Sequence, residues 1–254
     1  RLYLLSSPVM QAENLSFMEK GVDEVVKKNI GRLNNVLAFY KLYEDGTLRD
    51  WKSENILDRW ILARLDQLIL ESTKGYEAYQ LDTATRPIAG FVDDLSVWYL
   101  RRSRERFKEV GEDPSTSLRA GKKAALATLR YVLHTLSKVL APSMPFFAEY
   151  LFQAVRESED EESVHLAMWP EARATANFIM RLLGQGSEDA QLIVAMEAAR
   201  RIVSQALEAR EKAGIRVRQP LASLSVPSGT TLSQEYLSII ADEVNVKKVG
   251  IGKE

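Results

Sequence analysis

Apolar residues recur at helical spacing along most of this chain. Val22, Val26, Ile30, Leu33, Leu37 and Tyr40 form one stripe, which predicts a first helix from about Phe17 to Tyr43. Glu44-Asp45-Gly46 ends it. A second helix is predicted after Ser53, read as its N-cap, with Leu57, Ile61, Leu65, Leu68, Ile69 and Tyr76 facing inward. A third starts at Asp82, again read as an N-cap. Pro87 falls near its start, where proline is tolerated better than in the interior. Ile88, Phe91, Leu95, Trp98 and Tyr99 line its buried face. The stretch Val110 to Gly121, which contains EDPSTS, has loop composition. A fourth helix carries Leu126, Leu129, Leu133, Leu136 and Leu140. Pro142 and Pro145 break it, and a shorter helix resumes through Phe147, Leu151 and Val155. Amphipathic helices on short links predict an antiparallel helical bundle.

The texture then changes. The acidic run Glu157 to Glu162 and a loop through Trp169-Pro170 close the bundle, and Gly184 to Ser187 reads as a linker. A last long helix, roughly Glu188 to Ala213, stops at Gly214 as a C′ glycine would stop it. Ile215 and Val217 alternate with arginines, and Ala222, Leu224 and Val226 alternate in the opposite parity, with Pro220 at the switch. That pattern predicts a bulged or edge strand. Pro227-Ser228-Gly229 turns, Ser233 to Asp242 is a short helix, and Val244, Val246, Val249 and Ile251 suggest a last strand. The fold class expected is mainly α: a bundle followed by a small α+β module. Residues 1–16 are expected to end a connection from a preceding module, because Arg1 to Ser7 is an apolar run with no helix start signal. Residues 17–172 form the bundle and 173–254 the tail.

Composition narrows the function classes. The 254 residues are 46% hydrophobic, enough for one large or two small domains. Basic and acidic residues balance at 34 and 35, a net charge of -1. That excludes a wholesale nucleic-acid binder and leaves local asymmetry as the only basis for such a role. The absence of cysteine excludes disulfides and thiolate metal sites and fits a reducing, cytoplasmic setting. No apolar stretch is free of charge for the ~20 residues of a membrane span.

Residues able to do covalent chemistry are sparse. His134 and His165 lie 31 positions apart, without the further ligands a metal site needs. No Gly-rich phosphate loop and no Gly-x-Ser-x-Gly elbow occurs. Asp93 and Asp94 are neighbours on a helix, so they point about 100° apart and cannot act as a dyad. Ion pairs to arginines are expected instead.

Two surfaces stand out. On the first helix Lys28, Arg32, Asn35 and Phe39 share a line away from the apolar stripe. An aromatic ring, an amide and two cations so aligned can stack one base, hydrogen-bond another and hold phosphates. The plainer account is that a second neighbour covers Phe39 and the cations are solvated. At the end of the third helix, Trp98 and Tyr99 precede Arg101, Arg102, Arg104, Arg106 and Lys108, against the single Glu105. Cations suit a helix C-terminus, but that explains one or two of them. Five in a neutral chain read as a phosphate-binding collar.

At these residues the chain resembles the isoleucyl-tRNA synthetases, a family of class I aminoacyl-tRNA synthetases. RLYLLSSPV (1–9) is similar to the segment after the family's KMSKS loop. GVDEVVKKNIGRLNNVLAFY (21–40) resembles the first helix of its anticodon-binding bundle. LDRWILARL (57–65), LDTATRPIAGFVDDLSVWYLRRSRERF (81–107), LATLRYVLHTLSKVLAPSMPFFAEYLF (126–152) and SVHLAMWPE (163–171) follow in the family's order. REKAGIRVRQPLASLSV (210–226) and ADEVNVKKV (241–249) resemble its C-terminal junction. The resemblance implies a helical domain that holds tRNA(Ile) while a separate Rossmann module, using ATP and Mg, activates isoleucine. It implies the catalytic and editing domains of a parent chain as further partners, no cofactor in this chain, no membrane and a monomer. Neither HIGH nor KMSKS occurs, so no catalytic role passes to any residue here. Many bacterial members place an arginine before the first-helix phenylalanine. Ala38 stands there in this chain, as in the eukaryotic-type branch, so no base contact is expected at 38. The cysteine-bearing zinc segment of some members is absent. The corresponding region of valyl-tRNA synthetase and a helical adaptor that binds protein are the competing readings.

Overall fold

The computed structural model describes residues 1–44, 46, 53–108, 116–173, 188–227 and 231–252. Two compact units divide the chain, Arg1–Ile179 and Met180–Glu254.

In the first unit a short α1 (Leu2–Leu5) and a 3-10 turn (Pro8–Gln11) pack beside the bundle helices, so residues 1–16 lie within this unit. The first long helix is α2 (Glu19–Val25), a π-helical segment (Val26–Gly31) and α3 (Arg32–Tyr43) in direct succession. The π segment corrects the predicted stripe. A π turn takes up an additional residue, which rotates the register of everything before it. Leu33, Leu37 and Tyr40 are buried as expected, but Val26 is 43% exposed, and Asn29, not Ile30, is buried.

The second helix, α4 (Ile56–Glu77), is capped by Asn55 rather than Ser53: the Asn55 side chain accepts the Leu57 amide at 2.9 Å. The third comprises α5 (Leu81–Asp93), a π segment (Asp94–Leu100) and α6 (Arg101–Lys108). Asp82 is not its cap. It is buried in the first turn, where Gln11 donates to it at 2.9 Å and Arg86 pairs with it at 3.0 Å. Pro87 lies inside the helix, not at its start. α7 (Thr116–Leu140) begins ahead of Gly121, so the predicted loop extends too far; hydroxyl-rich residues suit a helix's first turn as well as a loop. The part of that loop before Thr116 lies outside the described residues. α8 (Pro145–Val155) follows the break, with Pro145 at its first turn.

α4 packs against α5 and α7, and α3 packs against α5, α7 and the second π segment. Leu33, Ile61, Leu65, Ile88, Leu95 and Leu126 are wholly buried between them. Where α4 meets α5, a Cβ on Gly75 would stand 2.5 Å from the Ala84 nitrogen, so only glycine fits.

In the second unit α9 (Glu188–Lys212) ends at Gly214, whose φ is +68°. The amide of Ile215 donates to the Arg210 carbonyl at 2.9 Å and that of Gly214 to the Glu211 carbonyl at 3.0 Å, the paired closure of a glycine-terminated helix. Strand β1 (Leu224–Val226), α10 (Gln234–Val244) and β2 (Val249–Ile251) follow, and the two strands form a parallel pair with Leu224 opposite Val249. The strand expected at Ile215 and Val217 does not form. Buried Arg210 donates to the carbonyls of Arg216, Gln219 and Asn245 at 3.2, 3.1 and 3.0 Å, which holds that stretch as a turn. The predicted linker Gly184 to Ser187 and Ser228-Gly229 of the predicted turn lie outside the described residues. Among the described residues no helix is long and apolar enough to cross a membrane.

Candidate nucleic-acid interface

α3 and the third helix run side by side. Arg32 donates to Asp93 at 2.7 Å, with both side chains partly exposed. Farther along, Phe39 meets buried Phe107 edge-on, centroids 5.1 Å apart, and Tyr43 stands 4.8 Å from Phe39. Phe39 is therefore half-covered, and the plainer account of it holds in part. Asn35 is exposed between these two contacts. Lys28 pairs with Glu24 at 3.0 Å on the exposed side of the π segment; that bond and the lysine charge lower the Glu24 pKa.

The collar divides into inward and outward groups. Trp98 and Tyr99 are buried, and Arg102 is half-buried. Arg106 turns inward and grips Asp58 with both ends of its guanidinium, at 2.9 and 2.6 Å. The Tyr99 hydroxyl donates to the same carboxylate at 2.8 Å and the Ser53 hydroxyl at 2.6 Å. The Asp58 side chain is 0% exposed and that of Arg106 is 19% exposed. Burial pushes the Tyr99 pKa well up, and the Asp58 charge adds to this while Arg106 opposes it. Arg101, Arg104 and Lys108 point outward. Arg101 bonds the Val97 carbonyl of its own helix at 3.1 Å, and Lys108 pairs with exposed Glu105 at 2.9 Å. Arg104 is exposed. Three cations thus project from one helix end, and such an array can meet successive phosphates.

Asp93, Asp94 and His134 are engaged within the fold. Asp93 and Asp94 pair with different arginines, Arg32 and Arg64. His134 stacks on Phe152 and stands 3.2 Å from Asp160; burial lowers its pKa, helped by Lys138 and opposed by Asp160. Among the described residues no three His, Asp or Glu side chains group as metal ligands.

A sequence model of the anticodon-binding domain of tRNA ligases matches residues 58–226. The chain belongs to that family. The anticodon-binding domain so defined reaches from the first turn of α4 to the end of β1. The chain is also 35% identical to an isoleucine--tRNA ligase of Chlamydia caviae, over 100% of the chain and 24% of that protein. It is 38% identical to one of Chlamydia trachomatis serovar D, over 98% of the chain and 23% of that protein, and 35% identical to one of Chlamydia pneumoniae over the same shares. The chain thus spans about a quarter of the length of these relatives.

Sequence reasoning missed the partner that divides the collar. Asp58 stands three residues after the Asn55 cap, a position that favours a carboxylate for the helix dipole alone. Nothing in the local pattern shows that Arg106, 48 positions on, closes over it.

Proposed function

We propose that this chain is the tRNA-holding part of an isoleucine--tRNA ligase. In this reading it positions tRNA(Ile) for aminoacylation by a catalytic module of the parent chain that uses ATP and Mg, in the cytoplasm and as a monomer. The observation that carries the reading is the match of the whole chain to one quarter of isoleucine--tRNA ligases, within the anticodon-binding domain family. The geometry supports it. Exposed Asn35 and the partly exposed ring of Phe39 offer an amide and an aromatic to unstacked bases. Arg101, Arg104 and Lys108 offer charge to the backbone. Lys28, Arg32 and Arg102 are partly committed to neighbours or partly covered and add to the positive field. Trp98 packs beneath.

Titrating the purified chain with labelled tRNA(Ile) and tRNA(Val) over a salt series tests this. Binding that weakens steeply with salt and favours tRNA(Ile) is expected. Preference for tRNA(Val) moves the reading to the valyl enzyme. Binding to neither, or binding indifferent to salt, overturns it in favour of a protein-binding adaptor.

A further inference from the structure

We infer that Arg106 serves tRNA binding as a positioning residue: its clasp on Asp58 fixes α6, the closing segment of the third helix, so that Arg101, Arg104 and Lys108 face the RNA backbone. This rests on the proposed tRNA-binding reading and goes beyond it, because it removes from the contact surface a cation that the sequence pattern groups with the others.

The carboxylate of Asp58 lies at the start of α4, and the guanidinium comes from the end of α6. Their 2.6 Å contact ties one helix end directly to the other. Asp58 also takes the Tyr99 hydroxyl from the neighbouring π segment and the Ser53 hydroxyl from the turn before α4. Both of its oxygens are occupied and it is out of contact with water. A planar fork on a buried carboxylate fixes direction as well as distance. To meet a phosphate, Arg106 would have to leave a buried anion uncompensated, which is strongly unfavourable. On α6, Arg106 and buried Phe107 turn inward while Arg104 and Lys108 lie on the far side. Holding the first pair in place therefore orients the second.

The two roles predict opposite signs for one substitution. If Arg106 met a phosphate, Asp58→Asn would free it and remove a repelling charge, so tRNA would bind more tightly. If Arg106 positions the helix end, Asp58→Asn weakens binding, by about three- to tenfold for couplings of the usual size. A merely structural loss would leave the cost of Arg104→Gln unchanged. A positioning role makes Arg104→Gln cost less in the Asp58→Asn background than in the parent chain. Each variant is first melted, and titrations are run well below its midpoint. Arg106→Lys keeps the charge and loses the fork. It stands in if Asp58→Asn does not fold, and it should weaken binding with the same loss of Arg104 sensitivity. Tighter binding by Asp58→Asn, unimpaired binding by Arg106→Lys, or additive effects with Arg104→Gln would overturn the inference. Loss of salt-dependent tRNA binding by the parent chain would instead overturn the function on which it rests.

Discussion

Asn35 is exposed, and Phe39, one turn on, leans edge-on against buried Phe107. On the proposed tRNA-binding reading, the two residues therefore separate recognition from packing. Phe39→Ala removes a half-covered ring with two aromatic neighbours, so a stability loss of about 1–3 kcal/mol is expected, below the ~3–5 kcal/mol of a core phenylalanine. Asn35→Ala trims an exposed side chain and should stay within about 0.5 kcal/mol of the parent. Asn35→Ala is then the cleaner probe. It should weaken tRNA binding several-fold, the worth of one hydrogen bond of about 1 kcal/mol, with an unchanged melt. Unaltered affinity would remove Asn35 from the interface. The sequence pattern alone puts Phe39 on the face away from the stripe, and that much is legible. Its cover comes from Phe107 on another helix, which no local spacing reveals.

At the scale of elements, periodicity shows helices well and their irregularities badly. The buried faces of α4, α7 and the third helix are those the pattern predicts, because each is a long amphipathic run. The two π segments are not legible, and the first displaces the stripe before Leu33. A single inserted residue leaves apolar spacings that still fit an unbroken helix. Caps behave similarly: Asn55 and Ser53 both suit the position by residue type, and only the 2.9 Å bond to Leu57 decides. The α4–α5 crossing gives a test at this scale. In a helix interior Gly→Ala gains about 1 kcal/mol of propensity. At Gly75 the new methyl would meet backbone at 2.5 Å, and neither helix can move without unpacking the other. Overpacking of this kind costs about 1–3 kcal/mol or more, so Gly75→Ala should lower the melting temperature. Gly90 is the control: a methyl added there meets open space, so its change to alanine should gain or hold stability.

For the whole molecule, a net charge of -1 means that attraction for RNA must come from where the charges sit. The outward cations at the third helix end are such a place, and phosphates repeat along a strand whatever its bases. If the chain holds tRNA as proposed, Arg101, Arg104 and Lys108 should therefore supply affinity shared by all tRNAs, and discrimination should come from groups such as Asn35 that can read a base edge. Guanidiniums can read guanine, but three cations strung along one face of α6 over two turns cannot converge on one base. Neutralising all three to glutamine should flatten the slope of log K against log salt by about 2 to 3, from ~0.7–0.9 per phosphate contact. Affinity for tRNA(Ile) and tRNA(Val) should fall by the same factor, so their ratio stays fixed. Asn35→Ala should do the reverse, narrowing the ratio while leaving the slope in place. An unchanged slope in the triple variant would mean that these cations face solvent in the complex. A loss confined to tRNA(Ile) would assign them to anticodon reading, and the division of labour between the helix end and α3 would be the wrong one.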